Sequence, residues 1–312
     1  MMEVVLKKGG EYQDCIVSYF GFDKYSQPSE EKVFFWGYRC LEDDYIKKQY
    51  SHIKNRIFLD TASPCAFLSS RNFLQNCKYF TKIYTICPWT ADFLNANGVS
   101  SEAVCFPYPA EHFEKFNNIS SEDKQYDCIY YGQIHDDYYF PMLRSISNFN
   151  YKYTTISNHG MNAEMSNLVT DKNLSTIAKW ESIALSKSCV GINLLFPKNH
   201  SLNCQYYIDN YNMSDDLRHI LTQPIMPQMK TRMVEAAACK TLMLIHKDEY
   251  NVIENWFKPD KHFLYWNDQT ELTQILNDVR DNYHQYWDIV ENAHQHVKQY
   301  SIFNFWSKIN EQ

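Results

Sequence analysis

The sequence lacks several of the features that mark large functional classes. No CxxC pair occurs among its ten cysteines, so it carries neither a zinc-ribbon spacing nor a thioredoxin-like redox motif. Several of these cysteines sit in apolar runs such as YTICPW, VCFPY and DCIYY. That pattern points to reduced, mostly buried thiols in a cytosolic (cytoplasmic) protein, not to a disulfide framework. No stretch approaches the roughly 18 apolar residues that a membrane-spanning helix needs. The N-terminal MMEVVLKKGGEYQDC has no long apolar core of the secretory kind. Basic residues are also in deficit, with 30 Lys and Arg against 37 Asp and Glu and a formal net charge of -7. This argues against nucleic acid as a partner, because generic affinity for its backbone comes from neutralising phosphates. A small phosphorylated ligand is still allowed, since two or three local cations can hold one. No strongly basic amphipathic helix stands out, which leaves peripheral contact with a membrane open. Internal repeats and low-complexity segments are absent as well.

What remains is a chain of 312 residues, 45% hydrophobic and 16% aromatic, which suits one large α/β domain or two of ordinary size. Short runs rich in Val, Ile, Phe and Tyr read as strands: DCIVSYF, KVFFWGY, NRIFLD, KIYTIC and AVCFPY, then YDCIYYGQI, YKYTTI, CVGINLLF, TLMLI and FLYW. Helical segments lie between them, among them SPCAFLSSRNFLQNCKYF, NLSTIAKWESIALSKS and residues 228–239. TADFLNANG reads as a short helix closed by Gly98, and the stretch from Thr270 to Tyr300 reads as strongly helical. Asp268 is placed to cap that last segment. Alternating buried strands and helices predict mostly parallel sheets covered by helices. Ligands in such sheets bind outside the carboxyl ends of the strands. The pattern restarts after the polar NNISSEDKQ, and three parts are expected. These are an α/β domain over 1–118, a second α/β domain over 119–290, and a helical segment over 291–312.

Three stretches together resemble the C-terminal domain of GT-B glycosyltransferases, in the group-1-like and spore-protein CgeB-like branch. They are YDCIYYGQI at 126–134, KTRMVEAAACKTLMLIHKDEYNVIENWFKPDKHFLYWNDQTELTQIL at 230–276, and the terminal helix ending QYSIFNFWSKI. KIYTICPWTADFLNANGVSSEAVCFPYP at 82–109 is similar to the close of that family's N-terminal domain. The resemblance implies two Rossmann-like domains facing across a cleft, with the C-terminal helix crossing back to the N-terminal domain. It implies transfer of a sugar from a nucleotide-sugar donor to a glycan, lipid-linked or other hydroxyl acceptor, as in polysaccharide biosynthesis. The donor, a UDP- or GDP-sugar, enters as substrate; no tightly bound cofactor and no metal requirement are implied. The chain departs from the family pattern at three places, one being Tyr300–Ser301, where a His is often found near the end of the last segment. Retaining members carry a glutamate eight positions before Glu235, where this chain has Pro227, and the glycine usual after Ala-Cys is Lys240.

The match places Glu235 on the donor ribose; otherwise it pairs with Arg232 or Lys230, its neighbours on the helix. Arg232 and Lys230 are cations near a helix start, suited to a diphosphate leaving group whose charge grows as the glycosidic bond breaks. Gly132 ends a strand and lets backbone approach a ligand closely. Glu249 follows the strand TLMLI and is a further candidate on the donor. His135, Asp136 and Asp137 are polar and accessible, but two adjacent aspartates do not form a D-x-D triplet, so no metal is expected there. An inverting enzyme needs a base on the acceptor side, and Asp60, at the end of NRIFLD, is the best-placed carboxylate. Other readings of the same fold are a nucleotide-sugar epimerase and a catalytically degenerate protein that binds a sugar nucleotide or a partner.

Overall fold

The computed structural model describes residues 2–6, 29–134, 136–156, 161–199 and 202–311. Two compact units emerge from its contacts. One comprises Met1–Pro109, Leu195–Gln228 and Ile302–Gln312, and the other Ala110–Leu194 and Met229–Ser301. Each is therefore assembled from separated stretches of chain. The expected run of 119–290 contributes Leu195–Gln228 to the first unit, and the terminal helix Ile302–Glu311 belongs to that unit as well.

The first unit holds a five-stranded parallel sheet, ordered β1 (Glu3–Leu6), β2 (Lys32–Trp36), β3 (Asn55–Asp60), β4 (Lys82–Thr85) and β5 (Ser101–Ala103). Val33, Phe34, Phe35, Phe58 and Leu59 are almost wholly buried, as expected for strands covered on both faces. Phe35 and Trp36 are thus core residues, and Trp36 donates its indole N–H to Thr61. The terminal helix closes one face, with Phe305 edge-on to Phe34 and Tyr84 and Trp306 edge-on to Phe34. Leu217, Ile220 and Leu221 of the helix Asp215–Thr222 are buried and line one pocket with Pro64, Phe67 and Trp89. Asn203 and Tyr207 fasten the same stretch by hydrogen bonds to the carbonyls of Leu68, Ser69 and Ser70. Apolar burial plus backbone hydrogen bonds explain why 195–228 packs here, which hydrophobic periodicity within that stretch does not indicate. The expected strand DCIVSYF lies outside the described residues. AVCFPY is extended only at its start, where β5 takes Ser101–Ala103.

The second unit holds β6 (Tyr126–Tyr131), β7 (Tyr151–Thr155), β8 (Asp171–Lys172) and β9 (Ser186–Gly191). It also holds β12 (Leu242–His246) and β13 (Phe263–Trp266); between β9 and β12 in the chain comes a two-residue pair, β10 (Leu194–Leu195) with β11 (Met226–Pro227), of which Leu195 and β11 belong to the first unit. Its sheet is parallel throughout, in the order β13-β12-β9-β6-β7-β8. Counted from β6, that is the doubly wound order, whose winding reverses between β6 and β9. Ligands of such sheets bind at that reversal, outside the carboxyl ends.

The helix Arg232–Ala238 joins this sheet through a face of very small residues. Met233 to Ala238 are all buried, and a Cβ on Gly191 would lie 2.6 Å from the Met233 Cε. Glycine in β9 is what lets helix and strand approach this closely. Lys240 follows the helix at φ 52, a left-handed backbone that glycine adopts at less cost. Its ammonium compensates by reaching the Asn117 carbonyl at 2.7 Å and Glu291 at 2.6 Å. This position is at the amino end of β12, on the edge of the sheet opposite the ligand edge.

The long C-terminal helical stretch is segmented into Gln269–Asn282, Trp287–Val297 and Ile302–Glu311. Asp268 caps the first, accepting from the Glu271 N–H at 2.9 Å. His294 is fully buried, with Nδ1 3.2 Å from the Ala237 carbonyl and Nε2 2.8 Å from Asn117. Burial, with Lys298 adding to it, takes its pKa from 6.5 down to about 4. His262, buried and stacked on His296 at 4.2 Å, falls to about 4 as well, through burial and the charges of His296, Lys261 and Lys258. The unfolded chain binds these protons near pH 6.5 and the folded one only near pH 4. This contribution to stability is therefore complete above 6.5 and is lost as pH falls toward 4. Thermal melts should show Tm dropping between about pH 7 and about pH 4.5, and His294→Gln should shrink that drop. An equal drop in the variant would show that His294 does not carry it. No helix among the described residues is long and apolar enough to cross a membrane.

Candidate active site

Gly132, Lys230 and Arg232 converge at the carboxyl ends of β6 and β9. β6 delivers the tyrosines 130 and 131 and then breaks at Gly132, whose φ is +123. The Tyr131 hydroxyl donates to the Arg232 carbonyl, locking the start of the helix to the end of β6. The Arg232 guanidinium folds back over the strand end, 4.7 Å from the Tyr130 ring centre and 5.9 Å from that of Tyr131. A Cβ on Gly132 would stand 2.5 Å from Arg232 Nη2. The guanidinium thus occupies the space that the missing side chain leaves. Its Nη1 is buried and makes no hydrogen bond. A buried N–H without an acceptor costs about 1–3 kcal/mol, and more when the donor is charged.

Asn193, just past β9, is fully buried and supports the same corner. Its Oδ1 accepts from the Lys230 backbone N–H at 3.1 Å, while its Nδ2 is buried and makes no hydrogen bond. Asn193 was hidden in the apolar run CVGINLLF, and no feature of the sequence singles it out.

Glu235 lies one turn further along and is 5% exposed. Its carboxylate has a partner from outside its own helix. Lys179, on the helix Thr176–Ala184, takes both oxygens, Oε1 at 2.8 Å and Oε2 at 3.0 Å. Residues 230, 232 and 235 share a helical neighbourhood in sequence, but the Arg232 side chain turns onto β6. Lys179 reaches Glu235 from a helix 56 residues earlier in the chain. Lys179 sits in AKWESIAL, where it reads as a solvated residue of an amphipathic helix.

Glu249 is exposed on the loop after β12, beside Tyr250. It follows the carboxyl end of β12, the same edge of the sheet as Gly132 and Arg232. Asp136 caps a short turn by accepting from the Tyr138 N–H at 2.9 Å, and Asp137 accepts from Asn162. His135 lies outside the described residues, and among those described no group of three or more His, Cys, Asp or Glu is arranged to hold a metal ion.

Asp60 belongs to the other unit and is 3% exposed. One oxygen accepts from the N–H groups of Ala62 at 3.0 Å and Ser63 at 3.2 Å, the other from the Thr85 hydroxyl at 3.1 Å. Burial raises its pKa above 3.8, against the lowering effect of these hydrogen bonds.

A family model described as "Glycosyl transferase-like" matches residues 199–303. No curated protein matches the chain by sequence. Among solved structures, Anabaena HepE in complex with UDP-glucose superposes with a TM-score of 0.59 at 10% identity, covering 100% of this chain and 98% of that one. The chain has the GT-B fold. Sucrose-phosphate synthase from Thermosynechococcus elongatus shares this fold at a TM-score of 0.53 and 10% identity, over 89% of this chain and 72% of that one. A mutant of S. aureus TarM, in complex with Fondaparinux, alpha-GlcNAc-glycerol and UDP, does so at 0.54 and 12%, over 91% of this chain. The chain spans 56% of TarM's length.

Proposed function

We propose that the chain is a glycosyltransferase that moves a sugar from a UDP- or GDP-sugar to a hydroxyl of a glycan or lipid-linked acceptor. Within the GT-B fold, the group-1-like and CgeB-like branch is the one its motifs resemble. The observation that carries this reading is the buried, unpartnered Nη1 of Arg232, held against Gly132 where the winding of the sheet reverses. A donor oxygen there satisfies the N–H, and a diphosphate matches the charge. As the sugar–phosphate bond breaks, negative charge grows on the departing phosphate, and a cation already in place stabilises that state most.

In this reading Lys230 adds a second positive charge beside the diphosphate, and Gly132 lets the donor approach the backbone. Glu235 accepts hydrogen bonds from the ribose hydroxyls, and Glu249 contributes from the loop after β12. The two cations take over charge balance that a metal would otherwise supply. Support comes from the match to a glycosyl transferase-like model and from relatives whose structures contain UDP or UDP-glucose. Lys240, which departs from the family glycine, is accounted for by its contacts to Asn117 and Glu291 on the opposite edge of the sheet.

We assign Asp60 to anchoring the loop after β3, because both of its oxygens already accept hydrogen bonds. Asp60→Ala should then destabilise the fold by about 2–4 kcal/mol, three hydrogen bonds being lost in a buried place. Asp60→Asn, which keeps the shape and one acceptor, should cost much less and retain turnover. If Asp60→Asn melts like the wild type yet has lost transfer activity, Asp60 is the acceptor base after all.

The decisive experiment is a donor screen that follows release of UDP, GDP or a nucleoside monophosphate, run beside calorimetric titration with UDP and GDP. Turnover of one donor is the expected result. Binding without turnover of any donor would leave a sugar-nucleotide-binding protein, and no binding at all would overturn the assignment.

A further inference from the structure

Lys179 is tied down more firmly than a surface lysine has reason to be. Its ammonium meets both oxygens of a carboxylate that is itself almost wholly buried, and it stands 5.5 Å from the ring centre of Tyr131. The helix that carries it begins at a cap, where the Ser175 hydroxyl accepts from the Ala178 N–H at 3.2 Å, so the position of Lys179 along the helix is set. Its side chain is 27% exposed, against 7% for that of Glu235. The lysine is thus the more accessible member of the pair.

Two hydrogen bonds from one ammonium fix the plane of the Glu235 carboxylate. An ionised carboxylate offers about four acceptor sites, more than one ammonium uses. Held in a fixed plane, its two oxygens match a vicinal diol, whose two hydroxyls donate side by side. Without Lys179, a glutamate one turn into a helix would rotate among rotamers and lose that match.

From this geometry we infer that Lys179 is a positioning residue, one that presents Glu235 to the two ribose hydroxyls of the donor nucleotide. The inference rests on the proposed function. It goes further in naming the residue that sets ribose recognition and in predicting discrimination by the sugar hydroxyls. A purely structural ion pair between two helices would affect stability and leave that discrimination alone.

The test compares UDP with 2′,3′-dideoxy-UDP by calorimetry, using the GDP pair if GDP is the nucleotide that binds. Wild-type protein should prefer the ribonucleotide by about tenfold to a hundredfold, the range for hydrogen bonds to a charged group. Lys179→Met should reduce this preference to near unity, and Lys179→Arg, which keeps a bidentate cation, should restore most of it. Removing one partner of a buried pair can unfold a protein, so the doubly neutral Lys179→Met/Glu235→Gln is compared with Glu235→Gln alone. If Lys179 acts through Glu235, the second substitution adds nothing to the loss of preference. Unchanged discrimination in Lys179→Met, or a further loss in the double variant, overturns the role of Lys179 while the proposed function stands. A wild type that binds both nucleotides equally removes the ribose role of Glu235 and this inference with it. Failure to bind UDP or GDP removes the proposed function itself.

Discussion

Arg232→Met should lower donor turnover by about a hundredfold or more, the scale seen when one preorganised transition-state donor is removed. The melting temperature should stay level or rise. The two effects separate because the guanidinium is in a costly position: one N–H is buried without an acceptor, and its packing partner is the Tyr130 ring. Methionine keeps most of the stem's apolar contact and removes the desolvated charge, and such replacements are often neutral or stabilising. An arginine kept only for structure would behave differently, since its loss would lower Tm and leave turnover in proportion to folded protein. Gly132→Ala probes the same contact from the strand. The new Cβ would lie 2.5 Å from Nη2 on a backbone at φ +123, so both stability and activity should fall. Melting curves and steady-state kinetics on the two variants check this, and wild-type kcat in Arg232→Met would sink the assignment.

Glu235→Gln should weaken nucleotide binding by about tenfold to a hundredfold and keep the protein folded. Glutamine is nearly isosteric, so the small-residue packing around Met233 to Ala238 is undisturbed. The Lys179 ammonium is left without its ion-pair partner but can turn toward solvent, being 27% exposed. A few degrees of Tm loss at most is expected, because the amide oxygen still accepts one of the two hydrogen bonds. Calorimetry with UDP or GDP, together with a melt, reads both effects. If Glu235→Gln binds nucleotide like the wild type, Glu235 and Lys179 are only a bridge between two helices.

Much of the fold was legible in the sequence because its signal is local. β2, β3, β4, β6, β7, β12 and β13 lie within runs of apolar, β-branched and aromatic residues bounded by turn residues. Asp268 was legible as a cap because capping needs only a short polar side chain three residues before an orphan N–H. The two-residue β8, the breaks in the C-terminal helical stretch and the start of β9 at Ser186 were not legible. Each depends on what packs against it, and local preference is weak there.

The amino-acid sequence by itself determined the class of this protein: parallel α/β units, a helix of small residues carrying Arg232 and Glu235, and a glycine at the end of β6. These features follow from periodicity and residue type, which act between neighbours in the chain. Only the tertiary structure decided the partners. It gave Glu235 to Lys179 and laid Arg232 over Gly132. It set Asn193 beneath the Lys230 backbone and packed residues 195–228 into the first unit. Side chains far apart in the chain meet because each backbone group and buried charge must find a partner once water is excluded. Partners such as Lys179 for Glu235 come from distant parts of the chain, and no local pattern in the sequence records them.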